Sequence, residues 1–282
     1  MTDPTVLHSA IGRYPHSAPV LDGQVTSLLL RLEDARIKPV SRAFAPMVRE
    51  GRFEVSEMAI ATFLMAKAAG KPLVLLPVVM AARFQEAALL CRADSPVAGP
   101  IDLAGRRLGV RAYSQTTGMW LRGCLLEEFG LRPSDLHWAT FEDAHLAEYR
   151  DPPWAERAPA GSDMMAMLEK GALDAVIVGN DVPEDPKLRT VFPDPVAAGE
   201  AFRARYGFKP VNHLLVMRGD VVARRPDLAA ELVRLFRDAP MTGHAALDPA
   251  LLLASRFCAE QQLLPAPLTL EEIWEGLPAG IG

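Results

Sequence analysis

The chain has 282 residues, half of them apolar and 23% charged, with a net charge of −5. That length suits one large domain or two lobes, and the apolar content excludes wholesale disorder. The mildly acidic balance argues against a nucleic-acid partner, whose phosphates require a concentrated basic face.

In chain order, Thr5–Ile11 reads as a strand, and PVLDGQVTSLLL has apolar spacing that starts a short helix. RFEVSEMAIATFLMAKAAG opens as a short strand and continues as a helix stopped by Gly70. PLVLLPVVM is a continuous apolar run, as expected of a strand buried on both faces, and AALLCRA is another. RRLGV predicts a strand, followed by a helix over SQTTGMWLRGCLLEEFG with Ser114 as its cap and Gly130 as its stop. LHWAT is a strand, SDMMAMLEKG a helix capped by Ser162, LDAVIVG a strand. The segment from Phe141 to Gly161, with Asp151-Pro152-Pro153-Trp154, is irregular and reads as a lid, a linker or a surface excursion. After a Pro-rich stretch, VNHLLVMRG is a strand and the remainder is helical. Alternation of this kind predicts an α/β fold with mainly parallel sheets.

The opening residues lack a basic segment followed by a long apolar one, and no apolar run approaches the roughly eighteen residues of a membrane span. The expectation is a cytoplasmic chain with no membrane partner, and homo-oligomerisation is left open. Cys91, Cys124 and Cys258 are widely spaced and read as buried small apolar residues. There is no P-loop, dinucleotide fingerprint, G-x-S-x-G elbow or H-E-x-x-H, and the six histidines stand far apart. Neither a cofactor nor a metal is expected.

Two strand-to-helix turns draw the eye. Ser114, Gln115, Thr116 and Thr117 open a helix after RRLGV, where first-turn N–H groups and hydroxyls either cap the helix or cradle a carboxylate. Ser56 and Glu57 follow FEV at what reads as a similar turn, with the same two roles open. Thr62, further along, reads as packing; Met164, Met165 and Met167 as helix core; Arg13 and Arg106-Arg107 as solvated surface.

FEVSEMAIATFLMAKAAGKP, CRADSPVAGPIDLAGRRLGV, Tyr113, Thr116, the WLRG at Trp120–Gly123, PSDLHWAT, MLEKGALDAVIV and KPVNHLLVMRGDV together resemble the 4,5-dihydroxyphthalate decarboxylase family. The resemblance spans roughly Phe53 to Arg225. It implies a two-lobed type II periplasmic-binding-protein-like fold, with mixed, mainly parallel sheets and two hinge strands. Lobe 1 would be Met1–Arg92 plus Asn212–Gly282 and lobe 2 Ala93–Val211, with crossings near Ala87–Arg92 and Val211–Arg218. The chain departs from the family at His16, where the family tends to carry Arg, at Glu86, where it tends to carry His, and at Ala112, where an acidic residue precedes the tyrosine.

The implied activity is cofactor-independent decarboxylation of a hydroxylated aromatic, phthalate-like carboxylate bound between the lobes. His213 would transfer the proton or bond the substrate hydroxyl, Glu86 would orient it or serve as its proton partner, and Tyr113 would stack on or hydrogen-bond the ligand. His16, Ser56, Glu57 and Ser114–Thr117 would bind substrate. The alternatives are a non-catalytic carboxylate-binding protein of the transporter type, and another small-molecule enzyme on the same scaffold.

Overall fold

The computed structural model describes residues 3–180 and 182–281. In chain order the strands are β1 (Thr5–Ala10), β2 (Leu30–Asp34), β3 (Val55–Ala59), β4 (Leu73–Ala82), β5 (Leu89–Arg92), β6 (Arg107–Val110), β7 (His137–Thr140), β8 (Ala155–Arg157), β9 (Ala175–Ile177), β10 (Leu188–Thr190), β11 (Val211–Arg218) and β12 (Met241–Thr242). The helices are α1 (Ala18–Leu21), α2 (Phe44–Glu50), α3 (Ile60–Ala68), α4 (Thr116–Phe129), α5 (Met164–Glu169), α6 (Pro195–Tyr206), α7 (Gly219–Arg224), α8 (Pro226–Leu235), α9 (His244–Glu260) and α10 (Leu270–Trp274). No helix among the described residues is long and apolar enough to cross a membrane.

The chain folds into two compact units. Unit 1 comprises Met1–Ala82, Val211–Arg256 and Ala266–Gly282. Its sheet runs β12-β4-β11-β3-β1-β2. β1 is parallel to β2 and β3, whereas β11 lies antiparallel between β3 and β4. One face is covered by the apolar stripe of α8, where Leu228, Leu232 and Leu235 pack with Leu76, Val78 and Leu215. α3 buries every residue from Ile60 to Ala66, as its uniformly apolar sequence requires. Pro77 sits inside β4 without breaking it. Leu214 pairs with Val79 and Leu215 with Leu76, so Pro77 lies in a bulge, where a residue lacking an N–H is tolerated.

Unit 2 comprises Arg83–Pro210 and Phe257–Pro265. Its sheet runs β10-β5-β9-β6-β7-β8, with β9, β6, β7 and β8 mutually parallel and β5 antiparallel to both its neighbours. α4 is anchored by Trp120, whose ring meets Phe202, Phe208 and Phe257 edge-on at 5.9, 6.3 and 5.8 Å.

Several expectations need correcting. The chain passes from one unit to the other after Ala82, ten residues before the expected boundary at Arg92, and Phe257–Pro265 joins unit 2. Leu89–Cys91, expected as a hinge crossing, is an interior strand of the second sheet, flanked by β10 and β9. Ser56 and Glu57 do not sit in a turn; β3 runs on through Ala59 because its partners β1 and β11 continue alongside it. Gln115 and Asp163, one residue past the expected Ser114 and Ser162, occupy the cap positions of α4 and α5. The local pattern does not mark β2, β8, β10, α2 or α6, and the strand β12 interrupts the stretch expected to be helical to the end; α6 buries only Gly199 and Phe202, leaving little periodicity to read. The Phe141–Gly161 segment is pinned at the sheet edge by β8 and by Trp154, whose indole N–H donates to the Tyr113 hydroxyl at 2.8 Å.

Gly123 shows how closely unit 2 is packed: a Cβ there would lie 2.1 Å from the Phe257 ring. Gly123→Ala should therefore destabilise the chain by about 1–3 kcal/mol through overpacking, measurable as a lowered midpoint in urea titration. Gly99→Ala, where a Cβ meets nothing within 4 Å, should leave the midpoint unchanged.

Candidate functional site

In unit 1 the residues converge on one carboxylate. Glu57 lies on β3 and its side chain is 0% exposed. Leu215 of β11 stands opposite Glu57 and His213 opposite Ala59, so Glu57 and His213 are diagonal neighbours on one face. Their side chains meet, with the imidazole Nδ1 2.5 Å from Glu57 Oε1. The Tyr14 hydroxyl donates to the same oxygen at 2.6 Å, and the Gly12 N–H donates to Oε2 at 2.7 Å. A buried carboxylate needs such donors to offset its lost hydration.

Each element contributes by its geometry. β11 carries register shifts on both sides of His213, and bulges of this kind re-aim a side chain. The Phe44 ring of α2 meets the imidazole edge-on at 5.1 Å. The loop after β1 is shaped by Ser17, whose hydroxyl accepts from the Tyr14 N–H at 2.8 Å and donates to the Gly12 carbonyl at 2.6 Å. Gly12 is required here, because a Cβ would lie 2.7 Å from both Glu57 Oε2 and the Tyr14 hydroxyl.

Burial and then the Glu57 charge raise the Tyr14 phenol well above its ordinary range, so it remains a donor. His16 stacks on Tyr14, with ring centroids 5.3 Å apart, and its Nε2 is buried with no hydrogen-bond partner. Burial lowers the His16 pKa against the opposing pull of Glu57, favouring the neutral ring. The contact with Glu57 engages Nδ1 of His213, so Nε2 is the ring nitrogen that the carboxylate does not hold. The group forms where the chain leaves the carboxyl end of β1 and passes alongside the middle of β3.

Unit 2 holds a second group. Helix α4 opens at Thr116, and Arg83 donates from Nη2 to the Thr117 hydroxyl at 3.0 Å. A guanidinium at the positive end of a helix creates a place suited to an anion. Gln115 makes no side-chain cap, and its Oε1 is buried without a partner. A cavity of about 430 Å³ beside it is lined by Arg111, Phe141, Ser162, Met164 and Met165. Met164, Met165 and Met167 pack against the core as read, and the first two also wall this cavity.

The expected site residues therefore fall into two groups: His16, Glu57 and His213 in unit 1, Ser114–Thr117 in unit 2. Ser56 turns away from the Glu57 face, donating to the Glu57 backbone carbonyl at 2.7 Å. Glu86 lies in unit 2, buried, accepting from the Gln85 N–H at 2.9 Å, with its carboxyl raised by burial; the carboxylate that orients His213 is Glu57 instead. Tyr113, expected to reach a ligand, is 0% exposed, its hydroxyl taken by Trp154 and its ring covered by Arg122 at 4.0 Å. The sequence reading missed Gly12, Tyr14 and Arg83. A glycine closing a strand two residues before a tyrosine was the available signal for the first two; nothing in the local pattern marks Arg83.

No protein-family model matches the chain. Curated relatives do: a 4,5-dihydroxyphthalate decarboxylase of Comamonas testosteroni is 28% identical over 253 residues, covering 82% of this chain and 73% of the relative. One of Pseudomonas putida is 30% identical over 216 residues, covering 70% of this chain and 81% of the relative. The chain belongs to the 4,5-dihydroxyphthalate decarboxylase family. Among solved structures, the periplasmic aliphatic sulphonate binding protein SsuA of Escherichia coli aligns over 98% of this chain and 84% of its own, at 14% identity and a TM-score of 0.55. A sulfonate-binding SsuA of Methylobacillus flagellatus covers 97% and 92%, at 11% and 0.59. The desulfurization enzyme DSZB covers 97% of both chains, at 16% and 0.53. This family member thus has a periplasmic-binding-protein-like α/β fold.

The unit 1 cluster makes a stability claim. Gly12→Ala should force Tyr14 and the Gly12 N–H away from Glu57, leaving the buried carboxylate short of donors at a cost of about 1–3 kcal/mol. The expected result is a lower urea midpoint than wild type, checked by circular dichroism; an unchanged midpoint would show that the close approach is dispensable.

Proposed function

We propose that the chain decarboxylates a hydroxylated aromatic carboxylate of the phthalate class. The observation that carries this reading is the Glu57–His213 pair, in which a buried carboxylate fixes the imidazole and leaves Nε2 to exchange a proton. The names of the two curated relatives support the choice of reaction.

The chemistry requires a proton at the ring carbon that bears the departing carboxylate. In the proposed first step, Nε2–H of the protonated His213 delivers that proton. The hydroxyl para to the carboxylate releases its own proton to water, and its oxygen becomes a carbonyl conjugated with the ring. The resulting dienone carries the carboxylate on a tetrahedral carbon. The carbon–carbon bond then breaks, CO2 leaves, and the bonding pair restores the aromatic ring while the carbonyl returns to a phenolate. Water reprotonates the phenolate and Nε2, so one proton is consumed for each CO2 released. Glu57 accepts from Nδ1–H throughout, holding the ring in place while Nε2 loses and regains its proton. The start of α4, with Arg83 on Thr117, is suited to hold a carboxylate.

A second reading, ligand binding without turnover, is favoured by the fold shared with sulphonate-binding proteins. Incubation of the purified chain with 4,5-dihydroxyphthalate, followed by mass spectrometry, separates the two: loss of CO2 is expected, and a bound but intact ligand would favour the second reading.

His213→Asn should lower turnover by about 10²–10⁴-fold while ligand affinity stays within about tenfold of wild type. Near-wild-type turnover would make His213 structural. Thr116→Val, which removes a hydroxyl from the α4 start, should weaken phthalate binding by about tenfold; equal affinity in calorimetry would count against the carboxylate cradle.

A further inference from the structure

Arg122 is a buried cation with no ion-pair partner in contact among the described residues. It lies on the second turn of α4 and is 1% exposed. Its Nε donates to Gln261 Oε1 at 2.7 Å and its Nη2 to the Tyr113 carbonyl at 2.6 Å. The guanidinium is stacked 4.0 Å from the Tyr113 ring centroid and 5.1 Å from that of Trp138. None of these partners is charged. Asp151 acts on it only through space; its carboxylate is 3.3 Å from the Thr140 hydroxyl, and burial holds its carboxyl above the usual range. The remaining nitrogen, Nη1, is buried with no hydrogen-bond partner.

Buried charges are ordinarily paired, because desolvation is otherwise uncompensated. The placement of this one is specific. Nη2 reaches back to Tyr113, three residues before the helix begins, and Nη1 lies where a Cβ on Gly118 would come within 2.9 Å of it. Gly118 belongs to the first turn of α4. The guanidinium therefore lies alongside the first turn, and its positive charge adds to the helix dipole and to Arg83 on Thr117.

We infer that Arg122 is a positioning residue whose buried charge, lying alongside the first turn of α4, gives that helix start a preference for doubly charged aromatic carboxylates over singly charged ones. The missing counter-ion is the ligand's own charge, felt through the low-dielectric interior without direct contact. The inference rests on the reading of the α4 start as a carboxylate cradle. It is independent of whether CO2 is lost.

The test is calorimetric binding of phthalate, benzoate and benzamide to the full chain as wild type, Arg122→Met and Arg122→Lys. The Met variant should lose about tenfold or more in phthalate affinity, less for benzoate, and nothing for benzamide. The Lys variant, which keeps the charge, should retain the preference for phthalate. Unchanged phthalate affinity in the Met variant, an equal loss for all three probes, or failure of the wild type to bind either anion would each overturn the inference. Should the Met variant not fold, Gly118→Ala displaces Nη1 instead; the phthalate-to-benzoate ratio should then fall, and an unchanged ratio overturns the inference. CO2 release from 4,5-dihydroxyphthalate is measured in parallel. Turnover without any Arg122 dependence of binding sinks the inference alone, and Arg122-dependent binding without turnover sinks the decarboxylase reading alone.

Discussion

A carboxylate withdrawn from water constrains everything around it in unit 1. Glu57 lies inside a sheet between two strands, and the protein answers its lost hydration with a phenol, an imidazole and a backbone N–H. Each donor demands something of the fold. The N–H requires a residue with no side chain at Gly12, the phenol requires the tight turn held by Ser17, and the imidazole requires the bulges of β11. The last of these contacts also orients the His213 ring. Stabilising the buried charge and orienting the imidazole are therefore one structural solution.

Unit 2 meets a buried charge in the opposite way. Arg122 has aromatic faces and carbonyl oxygens around it but no carboxylate partner among the described residues, so its charge is satisfied incompletely. Tyr113, which looks from its sequence position like a ligand contact, serves instead as a wall for this guanidinium. Gln261 closes the arrangement, accepting from Arg122 and donating to the Met119 carbonyl at 2.8 Å. The returning segment Phe257–Pro265 thereby takes part in the environment of α4.

Parts of the site were legible residue by residue. His213, in an apolar strand, and the hydroxyl-rich opening of α4 both stand out against their neighbours, since polar groups among apolar ones need a reason. Glu57 reads in the sequence as part of a strand-to-helix turn, because strand and turn compete over VSEMA and the deciding hydrogen bonds come from β1 and β11. Glu86 was paired with His213 on resemblance; the pairing that forms is set by a cross-strand diagonal between residues 156 apart.

What the sequence by itself determined is the class of structure: alternating apolar strands and helices, with left-handed stops at Gly70 and Gly130, specify an α/β chain through local periodicity and backbone freedom. Tertiary structure decided where the charges go. Which donor reaches Glu57, that Arg122 Nη1 is left without a hydrogen-bond partner, and that Leu89–Cys91 belongs to the second sheet all depend on strand order and register. Those are long-range pairings, and their energies arise from desolvation and contact between distant segments, which no local pattern records.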